Sequence, residues 1–195
     1  MAKNRRDSIT KQLTSRFLVL GLMAAAMWSL WLLHEFAPQG YSLNHLAIRP
    51  QSILGLVGIP LAPFLHGDLA HLAANTAPFL VLGGLVLMRS WNDFLFVTLF
   101  TVAGSGGGTW YFGASDTLHL GASGLIFGYF GFLLARGLFE RTLVSLAIAA
   151  GVGFFYSGLI WTVFPDQEGV SWQAHCFGFL SGLMCAYFVA RKRRR

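Results

Sequence analysis

Residues His119–Arg136, HLGASGLIFGYFGFLLAR, decide how the rest of the chain is read. From Gly121 to Ala135 there are 15 uncharged residues. At about 1.5 Å rise per residue a helix of that length covers roughly 22 Å, short of the ~30 Å hydrocarbon core of a bilayer. Either the helix is simply short, or its first turn begins below the membrane surface. The second reading holds the Ser123 hydroxyl inside the bilayer at a helix N-terminus, where backbone N–H groups are unpaired and the dipole favours negative charge. Lipid gives no reason for a serine there, whereas a water-filled reaction site does.

Outward from this stretch, the composition is that of a membrane protein. Of 195 residues, 55% are hydrophobic and 11% charged, with a mean hydropathy of +0.59; soluble domains carry about a quarter charged residues. Apolar runs predict spans at 17–36, 69–88, 94–112, the short run from Gly121, 143–164 and 172–190. The expected fold is therefore all-α, a polytopic bundle of six transmembrane helices over 17–190, between basic tails at 1–16 and 191–195. Ile53–Leu65 has 13 uncharged residues but includes Pro60 and Pro63, so it is expected to lie in or dip into the interface rather than cross. No seventh span is expected.

The net charge of +6 is placed for topology rather than for nucleic acid. Both tails and the Arg89, Arg136 and Arg141 connections fall on one side of a six-span chain. That side then holds 13 of the 14 Lys and Arg residues, with Arg49 alone on the other. Basic residues stay cytoplasmic, so both termini are expected inside, with anionic lipid as their contact and a bacterial plasma membrane as the setting. Cys176 and Cys185 are nine residues apart on one predicted helix, about 13.5 Å along its axis, too far to bridge.

Polar groups in a membrane are costly, which makes each a functional candidate. His66, His71 and Asn75 surround the start of the second span, Ser123 opens the fourth, and His175 lies near the outer end of the sixth. All fall towards the outside. His71 and Asn75, four apart, share a helical face, and their N–H donors suit either a developing oxyanion or helix-to-helix hydrogen bonds. Together the set holds a nucleophile, a base and extra donors, as acyl transfer requires. No Asp or Glu lies within the three spans that carry these candidates to orient His175, which predicts a dyad rather than a triad. His66 and His71 have no metal-ligand spacing, and neither metal nor cofactor is expected. Gly124-x-x-x-Gly128 and Gly178-x-x-x-Gly182 are spaced for close contact between the fourth and sixth helices.

These motifs resemble the rhomboid intramembrane serine proteases: His66-x4-His71-x3-Asn75, Gly121-Ala122-Ser123-Gly124 and Ala174-His175-x2-Gly178-x3-Gly182, in that order. The resemblance covers roughly 17–190. It implies an outward-opening, water-filled cavity and cleavage of single-span membrane proteins at or near their transmembrane segment. Ser123 would be the nucleophile and His175 the base. The Ser123 N–H, His71 and Asn75 would form the oxyanion site, supported by His66, Gly121, Gly124, Phe127 and Gly178. Two features depart from the usual pattern. The first loop lacks a Trp-Arg pair, and Phe127 stands where a tyrosine is common, keeping ring stacking against His175 but losing a hydroxyl. A non-catalytic relative that binds transmembrane clients and steers their folding or degradation is the competing expectation. A transporter would carry charges within several spans or an inverted repeat, and neither is seen.

Overall fold

The computed structural model describes residues 2–38, 41–165 and 169–193, with side chains from Thr14 to Lys192 within those limits. Among them, helices follow in the order α1 (Ala2–Glu35), α2 (Gly58–Leu61), α3 (Leu69–Arg89), α4 (Trp91–Phe112), α5 (Ser123–Glu140), α6 (Leu143–Phe155) and α7 (Trp172–Arg193). Short 3₁₀ turns occupy Leu43–Leu46, Leu54–Val57, Ala62–Phe64 and Ser157–Val163. The only strand-like pairing among these residues is an isolated antiparallel bridge between Ile48 and His119.

The all-helical expectation holds, and the apolar helices are those of a multi-pass membrane protein. Among the described residues, three helical stretches are long and apolar enough to cross a bilayer: Thr14–Glu35, Leu69–Arg89 and Trp172–Lys192. The expected fifth span is α6 continued by Ser157–Val163, but the two halves are bent by 65°, so it qualifies only as a broken span. By length and composition alone, three or four crossings are supported among the described residues. The two that fall short are α4, diluted by Gly104, Gly106, Gly107, Gly108 and several hydroxyl residues, and the 18-residue α5. α5 is enclosed: α3, α4, α6 and α7 all pack on it, α7 most extensively. An enclosed helix meets protein rather than lipid, and so escapes the demand for an apolar face all round. α1 packs against α3 and begins within the expected 1–16 tail, whose basic residues are part of one continuous helix with the span.

Small residues set how closely the central helices approach. A Cβ on Gly178 would overlap the Gly124 carbonyl oxygen, and one on Gly182 would overlap the Gly128 carbonyl oxygen. Gly124 and Gly128 in turn face Ser105 and Thr101 of α4. The spacing expectation is met: the backbones of α5 and α7 touch, and α4 closes the third side. Hydrogen bonds reinforce the seam, from the Thr98 hydroxyl with the Tyr129 hydroxyl at 2.7 Å, and from the Ser105 hydroxyl to the Ala174 carbonyl at 2.8 Å. At the opposite end, Arg89 pairs with Asp93 and Glu140, and Arg136 with Glu140, tying α3, α4 and α5 together. Cys176 and Cys185 are both free thiols. The loop from Leu54 to Phe64 is a chain of short helical turns, too short to cross, as its prolines predict.

Candidate active site

Three helix beginnings converge. α3 starts at Asp68, whose carboxylate caps it by accepting the His71 N–H at 2.8 Å; this is the usual device for satisfying a first-turn donor. One turn on, the Asn75 amide donates to the His71 carbonyl at 2.9 Å, which leaves its second N–H uncommitted. The Pro78 ring is inside the same helix and faces the same cavity; lacking an N–H, it leaves a carbonyl one turn back without its helical partner.

α5 starts at Ser123 itself, with Ala122 as an N-cap that has no side-chain acceptor. The first-turn N–H groups of α5 therefore lack acceptors within their own helix and carry the positive end of its dipole. Two contacts hold this turn in place. The Gly121 N–H donates to the Ala62 carbonyl at 2.8 Å, and the Ala122 N–H to His66 Nε2 at 3.4 Å. Burial, reinforced by the neighbouring His71, pushes the His66 pKa down to about 4, so the ring is neutral and Nε2 keeps the lone pair that this contact needs. Gly121 is needed twice over. Its φ is +116°, and a Cβ would stand 2.6 Å from both Cε1 and Nε2 of His71.

α7 starts at Trp172 and presents His175 after one turn. Nδ1 of His175 lies 2.9 Å from the Thr162 carbonyl oxygen. A carbonyl can only accept, so Nδ1 bears the proton and Nε2 is the basic nitrogen of the ring. Phe127 stacks on the imidazole with centroids 4.2 Å apart and planes 10° from parallel. Thus the turn at Ser157–Val163 orients the ring through a backbone carbonyl, the place a carboxylate takes in a triad.

A cavity of about 570 Å³ has Ser123, His175, His71, Asn75 and Phe127 on its wall together. A pocket of about 30 Å³ lies behind Ser123, bordered by Ser105, His119, Gly121, Gly124 and Ser171. His66 sits one layer back, edge-on to the His71 ring with centroids 5.1 Å apart, and Gly178 lies in the α5–α7 seam rather than on the cavity. Ser123 and His175 are not hydrogen-bonded to each other. A hydroxyl, an imidazole with a fixed tautomer, side-chain donors and a helix N-terminus around one cavity can together perform nucleophilic acyl transfer.

Thr162, His119 and Ser171 were not singled out from the sequence. The Thr162 contribution is a backbone carbonyl, which no side-chain pattern reports. His119 and Ser171 each lie four residues before a candidate, Ser123 and His175, and that shared offset is the one signal that points to them.

A Rhomboid domain model matches residues 55–192. Uncharacterized proteins of Mycobacterium tuberculosis and Mycobacterium leprae are each 37% identical to this chain over 190 residues. The alignments cover 92% of this chain and 79% and 75% of theirs. A Bacillus subtilis protein whose name classes it provisionally as a rhomboid protease is 30% identical over 136 residues, covering 67% of this chain and 66% of its own. With the domain match spanning most of its length, the chain belongs to the rhomboid family.

Proposed function

We propose that the chain is an intramembrane serine endopeptidase that cuts single-span membrane proteins at or near their transmembrane segment. The observation that carries this reading is the meeting of Ser123 and His175, at the starts of α5 and α7, on the wall of one cavity. In the proposed reaction the Ser123 hydroxyl attacks the scissile carbonyl while His175 Nε2 takes its proton. The oxyanion is held by the Ser123 N–H, the His71 ring and the free Asn75 N–H, with the α5 dipole adding to the field. Protonated His175 then gives its proton to the leaving amine, and water, activated by the same nitrogen, releases the acyl group. The chain crosses a bacterial plasma membrane six times with both termini cytoplasmic, and the cavity opens to the outside.

The test compares wild type with Ser123→Ala, purified in detergent, on a generic single-span substrate and with a serine-directed fluorophosphonate. Cleavage and labelling are expected from wild type only. Turnover surviving the substitution would overturn the mechanism. A folded wild type that neither cuts nor labels would shift the reading to a non-catalytic relative that binds transmembrane clients.

A further inference from the structure

We propose that His119 is a positioning residue for the Ser123–His175 pair, its ring and Ser171 forming a strap between the two turns that carry them. The inference rests on the proteolytic reading above. His119 Nδ1 lies 2.7 Å from the Ser171 hydroxyl, across 52 residues of sequence. Each partner is four residues before one member of the pair. The Ser171 carbonyl also accepts the His175 N–H at 3.2 Å, so Ser171 is built into the first turn of α7.

The strap has one self-consistent arrangement of protons. The Thr117 hydroxyl donates to the Ala114 carbonyl at 2.6 Å, which uses its only proton. The contact between Thr117 Oγ1 and His119 Nε2, at 2.8 Å, must then have the ring N–H as donor. A neutral ring protonated at Nε2 has its lone pair at Nδ1, so Ser171 donates and His119 accepts. Partial burial lowers the His119 pKa, which favours this neutral form. The backbone of His119 is itself immobilised, exchanging two hydrogen bonds of 2.9 Å with Ile48 of the first loop. The α5–α7 glycine seam sets the distance between the helices below the site. Around the site itself, the strap joins the segment leading into Ser123 to the one leading into His175, along the cavity wall that both residues line. A nucleophile and base held by separate turns lose rate steeply with small misplacement, and a fixed cross-link between the turns limits it.

The test uses full-length protein in detergent with the same single-span substrate. Variants are His119→Leu, His119→Gln, Ser171→Ala and the double His119→Leu/Ser171→Ala, with His119→Asn as the conservative variant that keeps an acceptor where Nδ1 stands. Wild type must first cut. His119→Leu, His119→Gln and Ser171→Ala are then expected to lower kcat and the fluorophosphonate labelling rate about tenfold. KM should stay within about twofold of wild type. The double variant should lose no more than either single, and His119→Asn should recover most of the rate at an unchanged thermal midpoint. Variants within about twofold of wild type, losses that multiply in the double, or a change in KM in place of kcat would each overturn the strap while leaving the protease reading intact. A folded wild type that neither cuts nor labels would remove both.

Discussion

At the scale of single residues, the site is made of groups whose second function is already spoken for. The Asn75 amide spends one N–H on its own helix and keeps one for the cavity. His175 spends Nδ1 on the Thr162 carbonyl and keeps Nε2, and Gly121 has no side chain because the His71 ring occupies that space. Each commitment removes a rotamer or tautomer that would otherwise compete with the productive one. For Asn75 this gives a quantitative expectation. Asn75→Ala should lower kcat by about 10²–10³ if its free N–H meets the oxyanion, with fluorophosphonate labelling slowed in parallel; an unchanged rate would remove it from the site. The residue types of the site were legible from the sequence because polar groups are rare in apolar spans. The Thr162 carbonyl was not, since every residue carries one and only the bend after α6 aims this one at His175.

At the scale of elements, the α5–α7 seam is the part whose sequence signal and structure agree most closely. Glycines at four-residue spacing on both helices meet carbonyl to Cα, which leaves no volume for a side chain. Gly178→Val should lower the thermal midpoint in detergent by about 3–10 °C and reduce activity with it, because the added methyls must push α7 from α5. Gly107→Ala on α4, where nothing lies within 4 Å of the new Cβ, should leave the midpoint unchanged or slightly raised. Equal losses from both would mean that the seam is not what the glycines serve. Element limits were read less well. The expected span over 143–164 is broken by a 65° bend, and α1 begins within the expected tail. An apolar run reports that a segment avoids water; it carries no record of where its axis turns.

For the whole molecule, charge placement and enclosure answer different questions. Thirteen of 14 basic residues fall on one side of a six-span chain, so a reporter fused after Arg195 should read as cytoplasmic, and a reporter exported to the far side would break the six-span topology. Hydropathy alone credits only three or four crossings, because α5 sits inside the bundle and α4 supplies its polar seam. Membrane residence, helical class, the small-residue contact and the set of candidate polar residues were determined by the sequence itself, since each follows from local composition or from spacing along one helix. Which helix is enclosed, where the chain bends after α6, which nitrogen of His175 is basic and that His119 meets Ser171 were decided only by the tertiary structure. Periodicity states which face of a helix is special, but which faces meet depends on all the helices packing at once.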